Sequence, residues 1–231
     1  MRNILKALVA VAAMVPALAF GDIVNSLHNL SAGSGTNQVC AFCHTPHGAN
    51  KATTALWNRN LPTTNGSFVW SNVNTVNGTA LPASLSDGSL KCLSCHDGSQ
   101  ALGNVINDPG AVKTTLTATL TGTPYDIVTG ASNSDLGGNH PVGVPYPAGP
   151  AGTYNGIAVN TAITGFKAAT TPTSLTGLRL YFNSGAATGA LGIECGTCHD
   201  PHGVVVGTAN IAKFLRKDNA ASALCTTCHS K

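Results

Sequence analysis

Charged and aromatic side chains are scarce in this sequence, at 9% and 5% of its 231 residues. Large apolar side chains are too few for an ordinary core, and 26 glycines with 12 prolines predict a chain dominated by loops and turns. Beyond the N-terminus no stretch approaches the ~18 consecutive apolar residues of a transmembrane helix. The formal net charge is only +3 and no basic cluster is present, so nucleic acid is not an expected partner.

Methionine occurs only within the first 14 residues. Residues 1–19 have the layout of a secretory signal peptide, with a basic region at Arg2 and Lys6, an apolar run, and small residues before a cleavage point. We therefore expect an exported chain that begins near Phe20 or Gly21. Its mature form would contain no methionine.

Cysteine is confined to four copies of the pattern Cys-x-x-Cys-His. This pattern is typical of covalent attachment of haem c. Two thiols three positions apart can reach the two vinyl groups of one porphyrin, and the adjacent histidine supplies the proximal ligand to the iron. The sequence thus predicts four haems attached through Cys40, Cys43, Cys92, Cys95, Cys195, Cys198, Cys225 and Cys228, with His44, His96, His199 and His229 as proximal ligands.

A Cys-x-x-Cys pair can also form a redox dithiol, half of a zinc site or part of a disulfide framework. Here four copies are each followed at once by histidine, and no cysteine is left over. In an exported chain, these features favour haem over the three alternatives.

Four histidines remain outside the motifs, namely His28, His47, His140 and His202. Four irons need four distal ligands, and without methionine each iron is expected to take one of these imidazoles. Iron held by two histidines has no vacant position for a substrate and, lacking methionine, a low reduction potential. The composition therefore predicts electron transfer and not an enzyme.

Two of these histidines follow a proximal histidine by three residues: His47 follows His44, and His202 follows His199. Side chains so spaced on a local turn lie side by side, so they cannot occupy opposite faces of one porphyrin. We expect His47 and His202 to bind the iron of a neighbouring haem. Two haems joined through so short a segment would pack against each other.

The ligands form an internal repeat, in which a leading histidine is followed by Cys-x-x-Cys-His-x-Pro-His-Gly and then by Cys-x-x-Cys-His. The chain divides into the signal peptide (1–19), a first dihaem module (20–97), a Thr/Gly-rich spacer with a distal histidine (98–194) and a second dihaem module (195–231).

The fold class expected from this organisation is mostly irregular and loop-rich, with a haem stack as its core. Short helices are expected around the motifs, with one near Ile211 to Arg216. Alternating residues predict strands at Ala111 to Leu120 and at Leu175 to Phe182.

Three segments, at 40–48, 139–143 and 195–203, resemble the multihaem c-type cytochromes that polymerise into extracellular nanowires. The resemblance covers the ligand framework from His28 to His229 and says little about the spacers. It implies a continuous stack of bis-histidine haems along a head-to-tail homopolymer, fed by upstream redox proteins and delivering electrons to extracellular acceptors. It also implies one distal histidine donated across the subunit boundary, which here would be His28.

The repeat leads to the same expectation. If His140 reaches back from the second module to a haem of the first, His28 should reach back to the last haem of a preceding subunit. Contacts of this head-to-tail kind do not close and generate a fibre.

Two other functions are compatible with the motifs. The first is a monomeric periplasmic tetrahaem shuttle similar in ligation to cytochrome c3, although such shuttles are shorter and more densely charged. The second is a multihaem reductase, which would need an open iron, whereas four distal candidates leave none. An extracellular or cell-surface location is expected, with the periplasm as the alternative.

Overall fold

The structure is a computed structural model that describes residues 23–71, 80–122, 126–130, 133–169, 173–183, 186–203, 205–206, 209–210 and 212–230. The expected signal peptide (1–19) lies outside these residues. None of the helices in this part of the chain is long and apolar enough to cross a membrane.

Loops make up most of the described chain, and the helices are short. They are α1 (Asp87–His96), α2 (Val112–Thr115), α3 (Cys195–Cys198) and α4 (Cys225–Cys228), with 3-10 turns at Ile23–Asn25, Val39–Phe42, Ala212–Phe214 and Ala220–Ser222. The expectation of a loop-rich fold with short helices around the motifs is confirmed, because each Cys-x-x-Cys segment lies in a helical turn.

Short antiparallel strands lie mainly in the spacer. They are β1 (Val144–Pro145), β2 (Thr153–Tyr154), β3 (Ile157–Ala158), β4 (Ser174–Leu175), β5 (Leu178–Arg179), β6 (Tyr181–Phe182), β7 (Leu191–Ile193), β8 (Val205–Val206) and β9 (Ala209–Asn210). The largest sheet has the order β1-β7-β6, with Val144 opposite Ile193 and Tyr181 opposite Gly192. The remaining strands form the hairpins β2-β3, β4-β5 and β8-β9.

The expected strand at Ala111 to Leu120 is wrong, because this segment begins with the helical turn α2. Asp108 accepts hydrogen bonds from the backbone N–H groups of Val112 (3.0 Å) and Lys113 (3.2 Å). A side-chain acceptor at this position satisfies the free N–H groups of a first helical turn and thereby stabilises it.

The other two expectations are met in part. Leu175 to Phe182 is extended, but it is divided among β4, β5 and β6 by a turn at Thr176 and Gly177. The helix expected near Ile211 to Arg216 is a 3-10 turn at Ala212–Phe214, and Ile211 lies outside the described residues.

Three small hydrophobic clusters form the apolar core of the described chain. One surrounds Phe42 in the first motif, and the second includes Leu90 and Leu93 of α1. The third is built on β1 and β7, and Leu224 and Cys228 pack against it. Each cluster therefore adjoins at least one Cys-x-x-Cys-His segment.

A buried carboxylate connects the second and third motifs. Glu194 is 1% exposed and accepts hydrogen bonds from the hydroxyls of Ser86 (2.5 Å), Tyr154 (2.6 Å) and Ser89. It also caps α3, in a capping box with Thr197. Burial raises the pKa of Glu194 above its ordinary value, although the hydroxyl donors oppose the shift.

The raised pKa of Glu194 predicts how stability depends on pH. The folded state favours the neutral carboxyl, so its stabilising contribution is complete below the ordinary glutamate pKa of about 4.3 and is lost as pH rises through the folded-state pKa. Urea unfolding followed by circular dichroism should show this loss in the parent protein. Glu194→Gln, which cannot ionise, should lack it.

Asp218→Asn provides the control for this experiment. Asp218 is exposed and accepts a hydrogen bond from Ala220 N–H at 3.2 Å. This variant should retain the parent's dependence on pH above about 4.3. Identical pH profiles for the parent and Glu194→Gln would contradict the assignment.

Candidate functional site

Each Cys-x-x-Cys-His segment folds into a turn that carries both thiols and the following histidine. All eight cysteines are free of disulfide bonds. In three motifs the histidine N–H donates to the carbonyl of the first cysteine: His44 to Cys40 (2.9 Å), His199 to Cys195 (3.0 Å) and His229 to Cys225 (3.0 Å). The second motif occupies the C-terminal half of α1. Two thiols one helical turn apart lie on one side of the backbone.

Backbone carbonyls hold the Nδ1 atoms of several histidine rings. Because a carbonyl oxygen only accepts, Nδ1 must donate, and Nε2 is left free as a metal ligand. The four contacts are His28 to Pro201 O (3.2 Å), His44 to Ala55 O (2.6 Å), His140 to Pro141 O (3.0 Å) and His199 to Lys213 O (2.9 Å). A fifth ring, that of His202, lies 3.4 Å from Asp200 Oδ1.

Three histidine rings of the motifs lie opposite three histidine rings from outside them. The ring centres are 6.2 Å apart for His28 and His96, 6.2 Å for His44 and His202, and 6.4 Å for His140 and His229. Aromatic rings also pair at such distances without a metal. Here, however, every pair combines one predicted proximal ligand with one predicted distal ligand.

The spacing of these rings matches axial ligation of one metal. An imidazole nitrogen lies about 2.0 Å from its metal and about 1.1 Å from the centre of its own ring, which places opposed ring centres about 6.2 Å apart. Burial also lowers the pKa of His28, and this favours the neutral ring that binds metal.

Two imidazoles do not complete a metal site by themselves. No group of three or more His, Cys, Asp or Glu side chains able to hold an ion occurs in the described part of the chain. A structural zinc ion takes four protein ligands. A metal between these ring pairs would therefore need equatorial ligands from a prosthetic group, and a porphyrin attached to the neighbouring thiols would supply them.

Trp57 provides a further test of this fit. Its indole Nε1 is buried without a hydrogen-bond partner, and its ring packs edge-on against His44 with the ring centres 5.7 Å apart. A buried donor is expected to have an acceptor. A propionate of a haem at the first motif is a chemically suitable one.

The pairing differs from the expectation for the leading histidines. The repeat assigned His28 to another subunit on the condition that His140 reaches back to the first module. Instead, His28 faces His96 and His140 faces His229. Each leading histidine thus lies beside the second Cys-x-x-Cys-His segment that follows it in the chain.

The histidines three residues after a motif connect the two modules. His202 faces His44 and not His199, which precedes it in its own motif. By elimination, His47 is left for His199. These two rings do not form a comparable ring pair in the part of the chain that the structure describes, although the segments 44–47 and 199–202 are brought together by the pair of His44 and His202.

A recurrent clamp holds three of the motifs, and the sequence analysis did not find it. The backbone N–H of one residue donates to the carbonyl of the second cysteine, and its side chain donates to the carbonyl of the residue after the first cysteine. The clamp residues are Asn58 on the first motif, Arg216 on the third and Lys167 on the fourth. The side-chain contacts are 2.7 Å to Ala41 O, 2.7 Å to Gly196 O and 2.6 Å to Thr226 O.

The residue before each clamp residue also pairs with the motif. Trp57, Leu215 and Phe166 form antiparallel bridges with the motif histidines His44, His199 and His229. The three clamps have no common residue type and no fixed distance from their motif. The only sequence signal is a hydrogen-bond donor that follows a large apolar residue, which is too general to search for.

Successive motifs are electrostatic neighbours. Burial and the nearby Cys95 thiol raise the pKa of Cys43 to about 12, and burial with the nearby Cys228 thiol raises that of Cys198 to about 11. A hydrogen bond between Cys92 and Cys195 raises the pKa of Cys92. The same interaction lowers the pKa of Cys195. Reactive dithiols have depressed pKa values, so the raised pKa values of Cys43, Cys92 and Cys198 make these three thiols unsuited to redox exchange.

Comparison with models of known protein families gave no match, and no curated protein matched the chain. Its function must therefore be inferred from the motifs and their geometry.

The ring pairs predict which histidine completes which site. In a background that lacks the first haem (Cys40→Ala, Cys43→Ala and His44→Ala), the change His202→Ala should leave the electron paramagnetic resonance spectrum of the remaining haems unchanged. His28→Ala in the same background should convert one low-spin haem to high spin, because the iron that His28 would bind is the one expected at the second motif.

The same two substitutions in the otherwise intact chain serve as controls, and each should produce one high-spin haem. A new high-spin signal from His202→Ala in the background without the first haem would contradict the pairing of His202 with His44.

Proposed function

We propose that this chain is a tetrahaem c-type cytochrome that carries electrons outside the cytoplasm. The observation that carries the proposal is the set of three ring pairs, each of which opposes a motif histidine to one outside the motifs at 6.2–6.4 Å. The eight thiols would hold four haems, and His28, His47, His140 and His202 would serve as distal ligands. When bound, haem supplies a one-electron couple between ferric and ferrous iron.

The chain's own groups would keep the proposed irons closed to substrates. Carbonyl contacts at Nδ1 orient the rings of His44 and His199 so that Nε2 remains the ligand. An opposed imidazole would occupy the sixth position and exclude water or substrate. We therefore propose that the chain is an electron-transfer protein and not a reductase.

The arrangement of the motifs favours a continuous electron path. The thiols of three cysteine pairs influence one another's pKa values: Cys92 with Cys195, Cys43 with Cys95, and Cys198 with Cys228. Haems attached at these positions would lie next to one another in the same order as their motifs occur in the sequence. They would also add a porphyrin core to the three small apolar clusters.

The proposal includes head-to-tail assembly into an extracellular filament that delivers electrons to extracellular acceptors. The resemblance in the motif segments and the low content of charged residues (9%) support it. A junction through His28 was expected from the sequence. That role remains a prediction, although the ring pair of His28 with His96 favours a ligand role within its own chain.

A monomeric periplasmic shuttle is the second candidate, and one observation favours it. Three of the four proposed irons would obtain both axial ligands from a single copy of the chain. His47 and His199 remain for the fourth. No ligand from a second copy is then needed.

Haem content and ligation test the central proposal. The mass of the mature chain should exceed that of its polypeptide by four haems, and the reduced protein should not bind carbon monoxide, since every iron has two strong ligands. His140→Ala should bind one equivalent of carbon monoxide. A parent protein with fewer than four haems, or one that binds the gas, would refute the proposal.

Electron microscopy of the secreted fraction separates the two candidates. Filaments support the polymer, whereas dispersed particles of one chain support the shuttle. If filaments form, His28→Ala should leave them intact while one haem becomes high-spin. Loss of filaments together with the appearance of one high-spin haem would restore the junction role of His28.

A further inference from the structure

Arg59 is a fully buried cation at the second motif. It is 0% exposed, and its guanidinium donates to the carbonyls of Leu102 (2.6 Å), Ala101 (2.8 Å) and Ser94 (3.1 and 3.3 Å). Ser94 lies between the two cysteines of the motif. The positive charge therefore lies beside the backbone of the second motif, where it acts to lower the pKa of the Cys95 thiol against the larger effect of burial.

At the other three motifs, the side chain that donates hydrogen bonds to the motif carries no buried, unpaired charge. Asn58, on the first motif, is neutral. Arg216, on the third, forms an ion pair with Asp200 at 2.8 Å. Lys167, on the fourth, is exposed, so water screens its charge. Only the second motif combines a full positive charge with complete burial.

No carboxylate of the described residues forms an ion pair with Arg59. The buried Asp97 follows His96, but its oxygens accept hydrogen bonds from Ser99 and from the N–H of Gln100. Carbonyl dipoles therefore satisfy the hydrogen-bond donors of Arg59, and at the Cys95 thiol the effect of Arg59 on the pKa exceeds the opposing effect of Asp97. The field of such a charge is screened less inside a protein than at its surface.

This field acts on electron transfer with a definite sign. Reduction of ferric to ferrous iron takes one electron from an upstream one-electron donor and removes one unit of positive charge from the iron. A fixed cation nearby repels the ferric form more strongly than the ferrous form and so favours reduction. If Arg59 only stabilised the loop at 97–105, its charge would have no effect on the reduction potential.

We infer that Arg59 raises the reduction potential of the haem at the second motif and thereby makes that haem a preferred electron acceptor within the chain. The inference rests on the proposed function. It assigns to Arg59 a positioning and tuning role, and it does not depend on whether the chain polymerises.

The test measures the four midpoint potentials of the holoprotein by spectroelectrochemistry. Arg59→Gln and Arg59→Met should each lower at least one midpoint potential by about 59 mV. For one electron, this corresponds to a change of about tenfold in the equilibrium constant of reduction. Arg59→Lys keeps the charge and should stay within about threefold of the parent. Arg216→Gln is the matched control, and its change should also be below about threefold, because Asp200 already offsets that charge.

Two outcomes would overturn the inference: unchanged midpoints in a neutral variant that retains four low-spin haems, or equal shifts in Arg59→Lys and Arg59→Met. The Met variant is included because an apolar side chain often replaces a buried charge without loss of folding. Fewer than four haems in the parent would instead refute the proposed function, so the two failures are distinguishable.

Discussion

Opposing two imidazole rings across a fixed gap of about 6.2 Å requires that each ring be held from its own side of the chain. Backbone carbonyls at Nδ1 hold several of these rings, such as that of His44 with Ala55, and Lys213 holds the ring of His199 in the same way, although His199 is not part of a ring pair. Both residues that supply the accepting carbonyls, Ala55 and Lys213, have positive φ, at 64° and 58°. Strained backbone at these positions is the physical cost of turning a carbonyl toward the ring.

The internal repeat extends beyond the ligands into the backbone. Two consecutive residues with positive φ, Ala55 with Leu56 and Lys213 with Phe214, precede the clamp segments of the first and third motifs. Each is followed by an apolar bridge residue and then by a clamp donor. Because a hydrogen bond to a carbonyl requires only a donor, asparagine, arginine and lysine can each serve, and the repeat persists with little sequence similarity.

The scarcity of charge gives the few buried charges unusual weight. Glu194 caps the third motif and Arg59 supports the second, and both are almost completely buried. One is a carboxylate satisfied by hydroxyls, and the other is a guanidinium satisfied by carbonyls. Burial favours the neutral form of Glu194, so the guanidinium of Arg59 is the charge whose field would reach a proposed redox centre at the adjacent motif.

The sequence by itself determined the four Cys-x-x-Cys-His segments, the four additional histidines and the loop-rich character of the fold, because covalent chemistry and turn-forming residues act over a few positions. It also indicated that His202 would not serve its own motif, since that rule is local. It misassigned Ala111 to Leu120, where Asp108 promotes a helical turn. Only the tertiary structure decided that His28 faces His96, that His140 faces His229, and that Arg59 is buried at the second motif. Those contacts join residues far apart in the chain, and their partners are often backbone carbonyls, which every residue carries and no sequence pattern distinguishes.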